Sequence, residues 1–201
     1  ELEKKAELSL RVSFMSQPVG KKMDLTYGKE MKKKYHSDFL RFSGYNQMTD
    51  GLIISEEADL VEPYEGKDYC CRKYIDYALL EEDVLKADRE GLRFTLHSEG
   101  DGSFHKILQI YDKCKKENGK LKNRHGITDL ELTGAVDEEK MAQLGVFGEI
   151  YTQVYKLDSC ENWKKDYDEK LGGRRSRYMN YRSMADHGVI LSGATDLPML
   201  I

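Results

Sequence analysis

Apolar residues in this chain gather into six short runs separated by longer amphipathic or polar stretches. The runs cover residues 10–15, 39–42, 92–97, a weaker one at 124–129, then 146–151 and 189–196. Their length and their aromatic and β-branched content predict strands, several of them buried. Between them, apolar positions recur at helical spacing. Residues 76–90 place Leu80, Val84 and Ala87 on one face, with Asp76 as N-cap and Gly91 as the stop. Residues 103–116 carry Phe104, Ile107, Leu108, Tyr111 and Cys114 on another helical stripe. A third helix starts at Asp137-Glu138-Glu139, with acids in its first turn, and ends at Gly145. A fourth, 175–186, groups Tyr178, Tyr181 and Ala185 ahead of Gly188.

Three helices stop on a glycine directly before an apolar run: Glu90-Gly91-Leu92, Leu144-Gly145-Val146 and His187-Gly188-Val189. A left-handed C-cap feeding a strand is what a helix-to-strand junction needs. Alternating strands and helices predict a parallel α/β architecture in one domain, 1–201. The interval 46–76 lacks periodicity and holds Asp50-Gly51, Pro63-Tyr64 and Gly66, which predicts an extended loop at a pocket rim.

Composition narrows the classes of function. Of 201 residues, 39% are apolar and 34% charged, and no apolar stretch approaches the roughly 20 residues of a membrane helix. A net charge of −4 gives no electrostatic reason to expect nucleic acid, and Lys32-Lys33-Lys34 and Lys115-Lys116 read as solvated helix faces. Cys70, Cys71, Cys114 and Cys160 show no CxxC spacing, so free thiols in a reducing, cytoplasmic setting are expected. Residues 1–5 are charged and begin without Met, and the chain stops just past its last strand, which suggests a piece of a longer polypeptide.

Two predicted strands end on metal-binding types of side chain, His97 and Asp196. In parallel α/β sheets and barrels the chemistry sits at the carboxyl ends of strands, so the two could converge on one ion or water. Taken singly, His97 reads more readily as a satisfied core or loop histidine and Asp196 as a helix-capping acid.

Several motifs in order along the chain resemble amidohydrolase family 3, the metal-dependent hydrolases that include N-substituted formamide deformylases. His97-Ser98-Glu99-Gly100-Asp101 is similar to that family's His-Ala-x-Gly-Asp, and Arg124-His125-Gly126-Ile127-Thr128-Asp129 to its Arg-His-Arg-Ile-Glu-His strand. Leu144-Gly145-Val146 is similar to the Leu-Gly-Val before strand seven. Residues 192–198 resemble the closing Gly-Ser-Asp-x-Pro, with 178–188 as the helix before it. Thr49-Asp50-Gly51 and Glu62-Pro63-Tyr64 fit its Asp-Gly and Pro-Tyr loop.

The resemblance implies a partial TIM (β/α)₈ barrel, strands three to eight, with the strand-one His-x-His and a small flanking β domain outside this segment. It implies a hydrolase of non-peptide C–N bonds in a small amide or formamide substrate, using Zn²⁺ or another divalent metal, one ion or two. Such an ion lowers the pKa of a water towards ~7. Carried over residue by residue, His97 matches the strand-five ligand and Asp196 the strand-eight acid, a metal ligand and the catalytic base. Asn46 stands where a carboxylatable Lys would be, and Asp129 where the strand-six His would be. An amide forms no carbamate, but a carboxylate can ligate zinc, so the implied metal set is His97, Asp129 and Asp196. His125 would substitute only with a favourable strand parity. Tyr64 and Arg124 are candidate substrate contacts, and Asp101 is expected to fix the loop or cap the next helix. The alternative is a degenerate barrel kept for binding or assembly. A freestanding six-stranded binding domain is a third reading.

Six strands of an eight-stranded barrel leave the runs at 10–15 and 189–196 with unpaired edges. The segment alone is therefore expected to associate, as a homo-oligomer or with a complementing chain segment. Sedimentation checks this, and a compact, heat-stable, non-associating monomer would contradict it.

Overall fold

The computed structural model describes residues 3, 5, 7–18, 21–121, 123–151 and 160–195. Strands and helices alternate along it: β1 (Val12–Ser16), α1 (Leu25–Lys34), β2 (Leu40–Gln47), α2 (Tyr77–Arg89), β3 (Arg93–Ser98), α3 (Asp101–Asn118), β4 (Gly126–Asp129), α4 (Ala135–Leu144) and β5 (Phe147–Tyr151). Then come α5 (Cys160–Leu171), a 3₁₀ turn (Gly172–Arg177), α6 (Tyr181–Asp186) and β6 (Leu191–Ala194). The strands form one sheet in sequence order, every neighbouring pair parallel. This is a half-barrel, a partial (β/α) barrel whose β1 to β6 stand as strands three to eight.

The register assigns the two faces of the sheet. Side chains alternate along a strand, so Phe94 and Leu96 of β3 point one way and Arg93, Thr95 and His97 the other. Phe94, Leu96 and Ile127 are fully buried against Val84 of α2 and Phe104, Ile107, Leu108 and Tyr111 of α3. The opposite face is the inside of the barrel. There the Arg93 guanidinium lies 4.2 Å from the Phe147 ring centroid, and Thr95 Oγ1 approaches Met15 Sδ. Asn46 pairs in register with Thr95 and so shares that inner face.

Several boundaries differ from the sequence reading, each for a local reason. β2 continues past Phe42 to Gln47, although Ser43-Gly44-Tyr45-Asn46-Gln47 is mostly polar, because its inner face lines the barrel and its outer face offers only Tyr45 to the core. α1 was not legible, since Gly28 is the one buried residue in its Lys-rich stretch. α5 is also additional. The helix expected over 175–186 is broken. Tyr178 leaves it to pack on Tyr167, ring centroids 4.2 Å apart, Met179 turns through φ 50°, and Asn180 caps α6 by accepting from Ser183 N–H. β6 starts later than expected because Val189 N–H still bonds the carbonyl of Met184. The predicted strand tip at Asp196 lies outside the described residues.

The long loop over 48–76 is no open rim. Ile53, Ala58, Leu60 and Tyr64 form a second core with Leu132, Tyr167, Leu171 and Tyr178. Arg174 donates to the carbonyls of Glu62 and Pro63, and Lys170 to the Glu56 carboxylate. This roof lies over the carboxyl ends of the strands.

Gly44 is the tightest backbone approach in the sheet. Its φ is 145°, and a Cβ there would stand 1.9 Å from the Arg93 carbonyl oxygen of the neighbouring strand. Gly44→Ala should therefore destabilise the protein by about 3 kcal/mol. The expected sign is a lower urea midpoint at an unchanged m-value.

Candidate metal centre

The site is built around one carboxylate. Asp50, fully buried just beyond β2, accepts hydrogen bonds from Asp59 N–H (3.0 Å), Gly100 N–H (2.9 Å) and Ser103 Oγ (2.6 Å) on Oδ2, and from Glu99 N–H (3.1 Å) on Oδ1. It thus clamps the loop after β2 to the turn between β3 and α3. The Asp59 carbonyl completes the joint by accepting from Gly102 and Ser103 N–H. Gly100 is required there, because a Cβ would lie 2.1 Å from that carbonyl oxygen.

The clamped turn presents His97, the penultimate residue of β3, into a ring of acids. Its Nδ1 stands 3.4 Å from Asp50 Oδ1 and makes no hydrogen bond. Its Nε2 stands 3.5 Å from Asp129 Oδ2 and 3.7 Å from Glu99 Oε1. Asp129 reaches His97 through an unusual backbone. Register pairs it with Ser98, which faces the helices, but φ values of 72° at Asp129 and 56° at Leu130 swing the chain over. Asp is among the few residue types that accept this conformation readily.

These separations exceed hydrogen-bond length, and each one taken as a pair is the spacing of two ligands on one ion. Two ligands 2.0–2.2 Å from a tetrahedral ion stand about 3.4 Å apart. One imidazole nitrogen with two carboxylate oxygens is a donor set for Zn²⁺ or a similar divalent ion. Asp50 Oδ1, 3.4 Å from Nδ1, stands on the side from which a carboxylate orients a ligating histidine, though beyond hydrogen-bond length. Asp129 and Glu99 each stand at ligand spacing from His97 Nε2, but the three ligand atoms do not all lie within 4.8 Å of one another; among the described residues that holds only for Asp88, Cys114 and His125.

Without an ion, the acids act on the imidazole. Burial disfavours the charged ring, yet Asp50, Glu99 and Asp129 outweigh it and push the His97 pKa up to about 10. Behind them, burial and the charge of Glu99 raise the Glu131 carboxyl well above the usual range; its Oε2 is buried without a hydrogen-bond partner. Asn46 contributes another buried and unpartnered atom, Oδ1, from β2.

The other candidates are placed as follows. Asp101, first residue of α3, accepts from Val61 N–H (2.9 Å) and from Arg177 (2.8 Å), so it ties the roof down. Tyr64 is buried and donates its hydroxyl to the Ala58 carbonyl (2.9 Å), so it braces the loop and presents no free hydroxyl to a substrate. Arg124 is exposed and precedes the amino end of β4, whereas His97 sits at a carboxyl end, so the structure does not bring it to the centre. His125 faces the helices. Its Nδ1 accepts from Phe94 N–H (3.0 Å) and its Nε2 bonds Asp88 Oδ1 (2.9 Å), with Cys114 close by. This buried trio has metal-binding residue types, but both ring nitrogens are engaged and Asp88 also accepts from Asn118 and Asn123. It is a hydrogen-bonded brace between α2, α3 and β4. Asp196 lies outside the described residues. Glu99 was missed as a ligand from sequence; its only signal was its place two residues after His97.

A model described as "Amidohydrolase family" matches residues 1–200. Among curated proteins the chain is similar to Protein LONG AFTER FAR-RED 3 of Arabidopsis thaliana, 24% identical over 166 residues, which are 81% of this chain and 28% of that protein. Crystal structures of uncharacterised metal-dependent hydrolases from Pyrococcus horikoshii OT3 and Pyrococcus furiosus share its fold, with TM-scores of 0.73 and 0.74 at 18% and 17% identity. Each covers 98% of this chain, which spans 38% and 39% of theirs. The chain thus spans well under half the length of these relatives.

The raised pKa of His97 has a defined sign. Its folded value of about 10 lies above the ordinary 6.5, so in metal-free protein its stabilising effect is complete below pH 6.5 and lost as pH climbs towards 10. The imidazole should titrate near pH 10 by ¹H–¹⁵N NMR, and His97→Gln should flatten the fall in thermal stability across that window.

Proposed function

The chain belongs to the amidohydrolase family, and we propose that it supplies the metal-holding side of a hydrolase that cleaves non-peptide C–N bonds in small amides or formamides. The observation that carries this reading is His97 Nε2 standing 3.5 and 3.7 Å from the carboxylates of Asp129 and Glu99 at the carboxyl end of a barrel strand. By resemblance His97, Asp129 and Asp196 would hold the ion, with Asp50 standing 3.4 Å behind the ring of His97. A divalent ion such as Zn²⁺, when bound, supplies an acidified water and polarises the substrate carbonyl. Asp196, the strand-eight acid by resemblance, would take the proton of the attacking water and return it to the leaving nitrogen. The raised pKa of Glu131, beside Glu99, works against gathering further negative charge around the centre. The amide-cleaving, formamide-type specificity rests on the motif resemblance alone.

A second reading is favoured by one residue. Asn46 lies on the inner face of β2 with Oδ1 buried and unpartnered, where a carbamate-forming Lys would bridge two ions. On this second reading the barrel, without this Lys, has become a binding scaffold that holds no ion.

Metal analysis separates the two. Protein prepared without chelator should retain about one divalent ion per chain, lost in His97→Ala and in Asp129→Ala. In protein that hydrolyses N-formyl or N-acyl amines, Asp196→Asn should lower kcat by roughly 10²–10⁴-fold. Absence of bound metal in the wild-type protein would favour the scaffold.

A further inference from the structure

Asp88, Cys114 and His125 brace the fold at the other end of the sheet from His97. His125 directly precedes the amino end of β4 and faces the helices, whereas His97 stands at the carboxyl end of β3 on the inner face. One ligand atom from each of the three residues lies within 4.8 Å of the other two, and all three residues are buried. We infer that this trio is a site for one soft divalent ion such as Zn²⁺, which ties α2, α3 and β4 together. Because the trio is sealed, the ion is taken up as the chain folds.

The donor set selects the ion. Sulfur, imidazole nitrogen and carboxylate oxygen are the atoms that bind zinc, and the sulfur favours a soft ion over magnesium or calcium. A thiolate and a carboxylate together cancel the charge of a divalent ion, so the filled site is neutral, as a water-free setting demands. Burial alone would raise the Asp88 carboxyl, but bonds from His125 and Asn118 hold it below the usual range. The carboxylate is thus ready for a cation. Burial and the charge of Asp88 push the Cys114 thiol up to about 12, so its proton leaves only when an ion takes its place.

His125 has two ways to sit between its neighbours. In the brace, Nδ1 accepts from Phe94 N–H at 3.0 Å, which leaves the ring proton on Nε2, donated to Asp88 Oδ1 at 2.9 Å. The same Nδ1 stands 3.3 Å from the Phe94 carbonyl oxygen. Moving the proton to Nδ1 makes that contact a donated bond and leaves Nε2 with a lone pair towards Asp88. The ring stays neutral. A histidine that donates its other N–H to a backbone carbonyl is the usual support of a bound zinc. The exchange forfeits the Phe94 N–H bond, so protein made without added ion keeps the brace.

The surroundings suit a ligating carboxylate, which is itself held by hydrogen bonds. Asn118 Nδ2 donates to Asp88 Oδ2 at 2.8 Å and Asn123 Nδ2 to Asp88 Oδ1 at 2.9 Å. A closed zinc site has four ligands. With its amide turned over, Asn123 would offer an oxygen as the fourth.

This site is independent of the hydrolase reading, because the set around His97 contains no cysteine. Cobalt substitution tests it. The whole chain, produced with Co²⁺ in the medium and then washed with chelator, should show a thiolate-to-cobalt charge-transfer band in the near ultraviolet. Its thermal midpoint should stand about 5 °C above that of protein produced without added ion. The band should persist in His97→Ala and in Cys70→Ala, Cys71→Ala and Cys160→Ala. It should disappear in Cys114→Ala and in the more conservative Cys114→Ser. A wild-type protein without the band, or a band that survives the Cys114 substitutions, would overturn the assignment.

Discussion

The whole carboxyl-terminal rim depends on the buried carboxylate of Asp50. Four donors from three segments converge on it, and the Asp59, Glu99 and Gly100 N–H groups would be left bare if it were removed, whereas Ser103 Oγ could still reach the Gly100 carbonyl. Charge-assisted bonds of this kind are short and directional, so the loop after β2 and the turn after β3 are held as one body. His97 inherits its position from that joint. Gly100 and the Asp59 backbone pack too closely to let the turn shift without breaking it.

That arrangement explains why so much negative charge can be gathered in one place. Asp50, Glu99 and Asp129 surround a single imidazole with Glu131 beside Glu99, and without compensation their repulsion would oppose folding. Two compensations are visible. His97 holds its proton up to about pH 10, and the pKa of Glu131 is raised well above the usual carboxylate range. A divalent ion is a third, and it competes with the first, since a ligating imidazole nitrogen must be deprotonated. The backbone holds some strain as well, because Asp129 and Leu130 both adopt positive φ to turn a carboxylate inward.

The strand–helix alternation was legible because each buried strand is a short apolar run and the helices α2, α3 and α4 carry apolar stripes with caps. Asp76 capping α2 and the glycines at 91, 145 and 188 are local signals acting where the sequence places them. What was not legible depended on tertiary contacts. Polar residues of β2 are tolerated because they line a barrel interior, and α1 is held through Lys32 and Gly28 with little apolar stripe. The break at Tyr178 answers to a tyrosine from another helix. His97 and Asp129 could be proposed from motif position, but Glu99 could not be separated from its neighbour Asp101. Only the turn geometry shows that Glu99 faces the imidazole while Asp101 faces Val61 and Arg177. Arg124 was misplaced because a motif places a residue near a strand without saying which end of the strand does chemistry.

The second core joins the loop after β2 to the segment that leads into the last strand, through the Tyr167–Tyr178 stack, the Lys170–Glu56 pair and the Arg174 fork. Two regions more than a hundred positions apart therefore behave as halves of one hinge-less lid. An insertion in either half would misalign the other, so length changes in these two regions should occur together among relatives, and grafting one half alone into a related barrel should spoil the fit of its roof.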